Sequence, residues 1–221
     1  MAVDYLCFNL QFFGMFLSFI ISLKLIKNKN IPRYMNGFYW YSVVGFLFAL
    51  PVFFEEYFFK SLKCSTYITN FSLLFHYSFL GSFILKVMPI KKDKSLLKFL
   101  YFLIFCFILF FICTKDNSLR NHKAYALTNF SLIIFCTIYY FQLFKNIPTL
   151  NLLTEPSFWI ISGVFFCMSI SIPTTGIMDY LKYNATLMFH RNINALTMLS
   201  YFIMHLFFIK AYLCAINPLK V

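Results

Sequence analysis

Charge is scarce in this chain of 221 residues, and negative charge is the scarcer kind. Only 12% of the residues are charged, seven of them acidic and 19 basic. Soluble domains carry about 25% charged residues, so this composition argues against a soluble globular core. The rest of the chain is strongly apolar: 61% of the residues are hydrophobic, and 33 residues are phenylalanine. Lipid is the solvent that suits such a chain.

Catalytic and metal-binding motifs are also lacking. The sequence contains no serine nucleophile elbow, no H-E-x-x-H pair, no phosphate-binding glycine loop and no acidic metal cluster. Its seven cysteines form no C-x-x-C pair, and their odd number supports neither a disulfide framework nor a zinc site. The sequence therefore predicts a protein that is not an enzyme and that has no catalytic residue, metal ion or cofactor.

Long apolar runs recur along the whole chain. A helix needs about 20 mostly apolar residues to cross a bilayer, and continuous rather than alternating runs indicate helices. The first run lacks a basic start and a cleavage site, so we expect a retained helix rather than a signal peptide. We predict an all-α polytopic bundle, a single transmembrane domain over residues 1–221. Its seven predicted spans are residues 5–26, 37–59, 67–88, 97–113, 124–144, 156–176 and 192–215.

Lysine and arginine are unevenly shared between the two sides of these spans. Twelve of the 19 lie on the side where the odd-numbered spans end. The positive-inside rule puts that side in the cytoplasm, which predicts an outside N-terminus and an inside C-terminus. We expect a multi-pass protein of the cytoplasmic (inner) membrane, with basic loops at anionic lipid headgroups. This placement argues against nucleic acid as a partner.

Polar side chains inside the predicted spans gather toward the outer ends. Such residues are costly in lipid, so their placement carries information about function. Together they predict an outward-facing polar cavity that binds a ligand or a partner. The candidate binding residues are Glu55, Glu56, Asn70, His76, Asn129, Trp159, Asn194 and His205.

Each candidate also has a structural interpretation that the sequence leaves open. Amides such as Asn70 serve to hold neighbouring helices together. The deeper residues His76 and His205 titrate near neutrality and are suited to proton relay or pH sensing, but neutral packing histidines are common. Only one of Glu55 and Glu56 can face the bundle interior, because helical neighbours point about 100° apart.

The stretch EPSFWIISGVFF, residues 155–166, has the features of a helix start. Pro156 suits the first helical turn, and Glu155 and Ser157 are suitable caps. Trp159 is expected to anchor the membrane interface, with ligand binding as a secondary role. Gly163 follows a serine, and small residues permit a neighbouring helix to approach closely.

Three segments carry a resemblance to a known family: PSFWIISGVFF at 156–166, FHYSFLGSFI at 75–84 and NINALTMLSYFIMHLFF at 192–208. With them the chain resembles a family of small bacterial seven-span membrane proteins without an assigned activity, some encoded beside sensor histidine kinases. The resemblance implies a sensor or accessory protein in signal transduction. Its partner would be a sensor kinase or another membrane protein.

Two other functions remain open at this stage. One is a channel or small-solute transporter that uses the outer cavity. The other is an oligomeric, pore-forming membrane accessory of a CRISPR-type antiviral defence system, and homo-oligomerisation stays open for the sensor as well. The halves of the sequence show no inverted repeat, and no span carries a continuous polar stripe. Both observations favour the sensor.

Overall fold

The computed structural model describes residues 2–26, 31–32, 34–57, 64–88, 94–114, 121–146, 152–184 and 187–216. Within these ranges the chain forms seven α-helices and no β-strand, which confirms the predicted all-α fold class. Single 3₁₀ turns at Met35–Gly37 and Leu152–Thr154 precede the second and sixth helices. The helices are α1 (Ala2–Ile26), α2 (Phe38–Tyr57), α3 (Cys64–Val87), α4 (Lys94–Thr114), α5 (His122–Asn146), α6 (Pro156–Asn184) and α7 (Leu187–Ile216).

All seven of these helices are long and apolar enough to cross a membrane, so the protein is a multi-pass membrane protein. Several helices are longer than the spans expected from the sequence. The α4 helix begins at Lys94 rather than residue 97, and α6 continues to Asn184 rather than residue 176. An apolar run marks only the part of a helix that lies in hydrocarbon, whereas backbone hydrogen bonding continues into the headgroup region.

Successive helices alternate in direction, which gives the bundle two distinct ends. We call the end where α1, α3, α5 and α7 begin the amino face, and the end where they finish the carboxyl face. At the amino face, Arg191 Nε of α7 lies 3.7 Å from Asp4 Oδ2 of α1. In the same region the Tyr125 hydroxyl of α5 donates to the Thr69 carbonyl of α3 over 3.1 Å.

The most extensive helix contacts in the described part of the bundle are those of α7 with α1 and α6. Two glycines allow this packing. A Cβ on Gly163 of α6 would lie 2.7 Å from Phe207 Cβ and 3.2 Å from the Met204 carbonyl oxygen, and one on Gly14 of α1 would lie 2.8 Å from the Phe202 ring. Glycine at these positions therefore brings both neighbouring helices close to α7.

The α4 helix is peripheral and packs mainly against α3 and α5. It exposes large apolar side chains such as Phe99 and Phe102, as expected of a helix that faces lipid. Asn121 links α4 to α5 through two hydrogen bonds. Its Oδ1 accepts from the Ala124 amide over 3.2 Å, which caps the start of α5, and its Nδ2 donates to the Phe111 carbonyl of α4.

Candidate ligand-binding cavity

Two adjoining cavities lie inside the bundle, between the amino face and the membrane centre. The first, which we call the histidine cavity, has a volume of about 130 Å³ and is enclosed by α1, α3, α5, α6 and α7. The second, the side cavity, has a volume of about 150 Å³ and lies between α1, α2 and α3. The two share one wall, formed by Gln11, Met15, Thr69, Ser72 and His76.

Polar but uncharged side chains dominate the histidine cavity. None of the described residues that line it is Asp, Glu, Lys or Arg. The apolar part of the wall includes Met15, Leu132 and Met168. The polar lining residues are Gln11, Thr69, Ser72, His76, Tyr125, Thr128, Asn129, Tyr201 and His205.

Two imidazoles from distant parts of the chain face this cavity. His76 of α3 has its Nδ1 2.7 Å from the hydroxyl oxygen of Tyr41 on α2. The ring of Phe208 packs edge-on against Tyr41 and His205, with centroids 5.7 and 5.5 Å away. Tyr41 and Phe208 thus form an aromatic support behind both histidines.

Three buried polar atoms on the cavity wall have no hydrogen-bond partner among the described residues. They are Thr128 Oγ1, Asn129 Nδ2 and His205 Nδ1. Their side chains are 1%, 1% and 4% exposed. Leaving a buried polar group without a partner costs about 1–3 kcal/mol. Most buried polar groups in proteins are satisfied. Three such atoms around one cavity therefore leave hydrogen-bonding capacity for a molecule inside it, either a water molecule or a small ligand.

The structure brings only part of the predicted site together. His76, Asn129 and His205 line the histidine cavity. Asn70 is buried but does not line either cavity, and its Oδ1 accepts a hydrogen bond from the Asn121 amide over 3.4 Å. Asn70 therefore tethers the start of α5 to α3.

The remaining candidates lie away from both cavities. Glu55 is half-buried in the last turns of α2, and the side chain of Glu56 is outside the described part of the chain. Asn194 is exposed near the start of α7. Trp159 lies toward the carboxyl face, where its Nε1 donates to the Leu153 carbonyl over 2.8 Å and Lys210 Nζ lies 5.8 Å from its ring centroid. Trp159 thus contacts the turn before α6 and a lysine of α7, and its role as an interface anchor stays a prediction.

Several lining residues, among them Thr69 and Ser72, were not among the candidates that included His76. Thr69, Ser72 and His76 follow one another at spacings of three and four, so they share one face of α3. Gln11 and Met15 share a face of α1 in the same way. This spacing is a usable signal, but small hydroxyl residues are too common in membrane helices to stand out without it.

The carboxyl face has a different polar contact outside the spans. The Tyr34 hydroxyl donates to Glu155 Oε2 over 3.3 Å. Burial, and then the negative charge of Glu155, raises the pKa of Tyr34 well above its usual value. The phenol therefore stays protonated at ordinary pH and acts as the donor that joins the segment before α2 to the start of α6.

These features define the class of the protein: a polytopic, all-helical membrane bundle with an uncharged polar cavity in its interior. No protein-family model, curated protein or solved structure matches this chain. Its function is therefore argued from the cavity itself.

Proposed function

We propose that this protein is a non-enzymatic membrane sensor, which binds a small uncharged molecule in the histidine cavity and acts through a protein partner. The proposal rests on the three unpartnered polar atoms of Thr128, Asn129 and His205, which α5 and α7 bring to the same cavity. Burying such atoms does not stabilise a bundle, whereas a binding site uses them to recognise its occupant.

The lining determines the chemistry of the proposed ligand. A charged ligand would be costly in a membrane cavity without a countercharge, so the ligand carries no net charge. It offers a hydrogen-bond acceptor to the Asn129 amide and a polar group to His205. Cavities of about 130 and 150 Å³ are below the roughly 300–1,000 Å³ of drug-sized sites, so the ligand is small.

The extent of the cavities favours binding over conduction. Neither cavity is lined by residues in the last turns of α1, α3, α5 or α7 at the carboxyl face. The two cavities therefore do not form a path across the described part of the bundle. A channel or pore in one chain would need such a path.

The position of His205 supports a route from ligand to partner. His205 belongs to α7, which makes extensive contacts with α1 and α6. A ligand that binds Nδ1 of His205 would favour one packing of α7 over another, which is the physical basis of a ligand-driven population shift. In the N-out orientation in a cytoplasmic membrane, the ligand would enter from outside. The resemblance to the bacterial seven-span family supports a sensor kinase or another membrane protein as partner.

Substituting Asn129 tests this function directly. We expect Asn129→Leu to raise the Tm of the detergent-purified protein, because it removes an unpartnered buried donor at similar volume. We also expect small uncharged probes such as acetamide or glycerol to stabilise the unsubstituted protein but not the variant. The matched control is Asn194→Leu, which removes an exposed amide outside the cavity and should leave stabilisation by the probes unchanged.

The opposite pattern would count against a binding role. If Asn129→Leu lowers the Tm, and both variants respond to the probes like the unsubstituted protein, the Asn129 amide holds the fold together rather than a ligand.

A further inference from the structure

A groove with three lysines lies between α3 and α4 near the carboxyl face. It has a volume of about 420 Å³ and shares no lining residue with the histidine cavity. Its lining residues are Ser82, Leu85, Lys86, Lys94, Lys98 and Tyr101. The groove therefore combines positive charge at its rim with apolar and aromatic surface.

Helical spacing explains why these residues meet. Lys94, Lys98 and Tyr101 are four and three residues apart, so they share one face of α4. Leu85 and Lys86 lie three and four residues after Ser82 on α3, so those three also share a face. The two faces oppose each other because α3 and α4 are packed neighbours.

Tyr101 forms the floor of the groove, and contacts with α3 hold it in place. Its ring stacks on Tyr77 with centroids 5.2 Å apart, and its hydroxyl donates to the Ser78 carbonyl over 2.9 Å. It also covers Gly81, where a Cβ would lie 2.7 Å from the Tyr101 ring. These three contacts hold Tyr101 of α4 against α3 at the groove.

The positive charge of the groove is not offset by any described residue that lines it. Lys94 Nζ donates to the Lys86 carbonyl over 3.4 Å, which is a contact with a neutral group. No carboxylate is among the lining residues. Three ammonium groups around one groove repel one another, and an anion among them would relieve that repulsion.

We propose that this groove binds the phosphate headgroup of an anionic phospholipid. Charge complementarity favours a phosphate between Lys86, Lys94 and Lys98, since lysine binds phosphate as a point charge. A lipid is favoured over a soluble phosphate because α4 exposes Phe99 and Phe102, 61% and 62% exposed, beside the groove. The acyl chains run along this apolar face while the headgroup stays at the lysines. The inference is independent of the histidine cavity and of the proposed sensor function.

Lipid binding to a pair of matched variants tests the proposal. The groove variant is Lys94→Gln with Lys98→Gln. The control is Lys24→Gln with Lys145→Gln, which removes the same charge from exposed lysines in the last turns of α1 and α5, toward the same face. Native mass spectrometry of delipidated protein measures retention of phosphatidylglycerol against phosphatidylcholine. We expect the unsubstituted protein and the control to prefer phosphatidylglycerol, and the groove variant to bind it roughly 10-fold more weakly.

Each remaining outcome would overturn the proposal. Equal losses in the two variants would mean that phosphatidylglycerol responds only to the general charge of this face. If the unsubstituted protein shows no preference for phosphatidylglycerol, the groove is not a binding site for anionic phospholipid. Displacement of bound phosphatidylglycerol by millimolar inorganic phosphate or glycerol 3-phosphate would identify a soluble phosphate as the occupant.

Discussion

The two halves of the bundle differ in whether their buried polar side chains form hydrogen bonds with one another. Toward the carboxyl face, Ser42 Oγ lies 3.1 Å from Ser18 Oγ and 2.5 Å from the Tyr212 hydroxyl, which links α1, α2 and α7. Toward the amino face, Thr128 Oγ1 and His205 Nδ1 are equally buried and have no partner among the described residues.

The contrast concerns the cavity rather than every hydroxyl of the amino half, where Thr197 Oγ1 of α7 donates to Thr174 Oγ1 of α6 over 3.1 Å. In the carboxyl half the paired hydroxyls continue between α5 and α6. Near the carboxyl face, Tyr139 and Tyr140 of α5 lie 3.3 and 2.7 Å from the hydroxyls of Ser157 and Ser162 on α6. Gln142 Oε1 is an exception in this half, since it is buried without a described partner. Paired hydroxyls join helices into a unit that resists rearrangement, whereas a cavity with unpaired groups leaves its walls able to respond to an occupant. In the proposed function, the carboxyl half would be the rigid part of the bundle, and the cavity walls in the amino half would be the part that responds to a ligand.

Adding one methyl group to a closely packed glycine and to a glycine beside the side cavity should give the largest difference. We expect Gly163→Ala to destabilise the protein by about 1–3 kcal/mol, because the new Cβ would meet Phe207 and the Met204 backbone. The matched variant Gly45→Ala lies beside the side cavity, where the new Cβ would be 4.0 Å from Met15 Cε. It should be neutral or stabilising by up to about 1 kcal/mol, since alanine favours helices. Thermal unfolding in detergent measures both, and equal losses would contradict tighter packing around Gly163.

Removing one hydroxyl from each half should change stability in opposite directions. Tyr212→Phe takes a partner from Ser42 and should cost about 1 kcal/mol. Thr128→Val removes an unpartnered hydroxyl and should stabilise by about 1 kcal/mol. The measurement is the Tm of each variant in the same detergent. A lower Tm for Thr128→Val would show that this hydroxyl is paired, and the distinction between the halves would fail at this residue.

The smallest effect should come from the ion pair at the amino face. Asp4 and Arg191 have side chains 27% and 41% exposed, and exposed pairs contribute about 0–1 kcal/mol. Asp4→Asn should therefore shift the Tm only slightly, and the shift should shrink as the salt concentration rises. A large shift that is insensitive to salt would mean that the amino face is held together more strongly than its exposure indicates.

Sequence reasoning located the helices well because each one is a local property. A run of some 20 apolar residues forms a spanning helix whatever it packs against. The hydrogen bond of Trp159 is local in the same way, since its partner Leu153 is six residues away.

The candidate site was only partly predictable, because it depends on distant contacts. The sequence made His76 and His205 two of eight candidates for one cavity, but only the packing of the helices shows that these two line it while Glu55, Trp159 and Asn194 do not. Asn70 and Asn129 look alike in the sequence. Their surroundings differ. Asn70 Oδ1 accepts a hydrogen bond from the backbone amide of Asn121, 51 residues further along the chain. Asn129 Nδ2 has no described partner and lies at the cavity.

The sequence alone determined that this chain forms apolar helices and that its lysines gather where the odd-numbered helices end. The hydrophobicity of a helix and the charge at its ends are local properties, so both can be predicted from a single segment of the sequence. Only the tertiary structure decided which polar groups are paired and which face the histidine cavity. A hydrogen bond depends on two atoms within about 3 Å, and the chain brings such atoms together only when the helices pack.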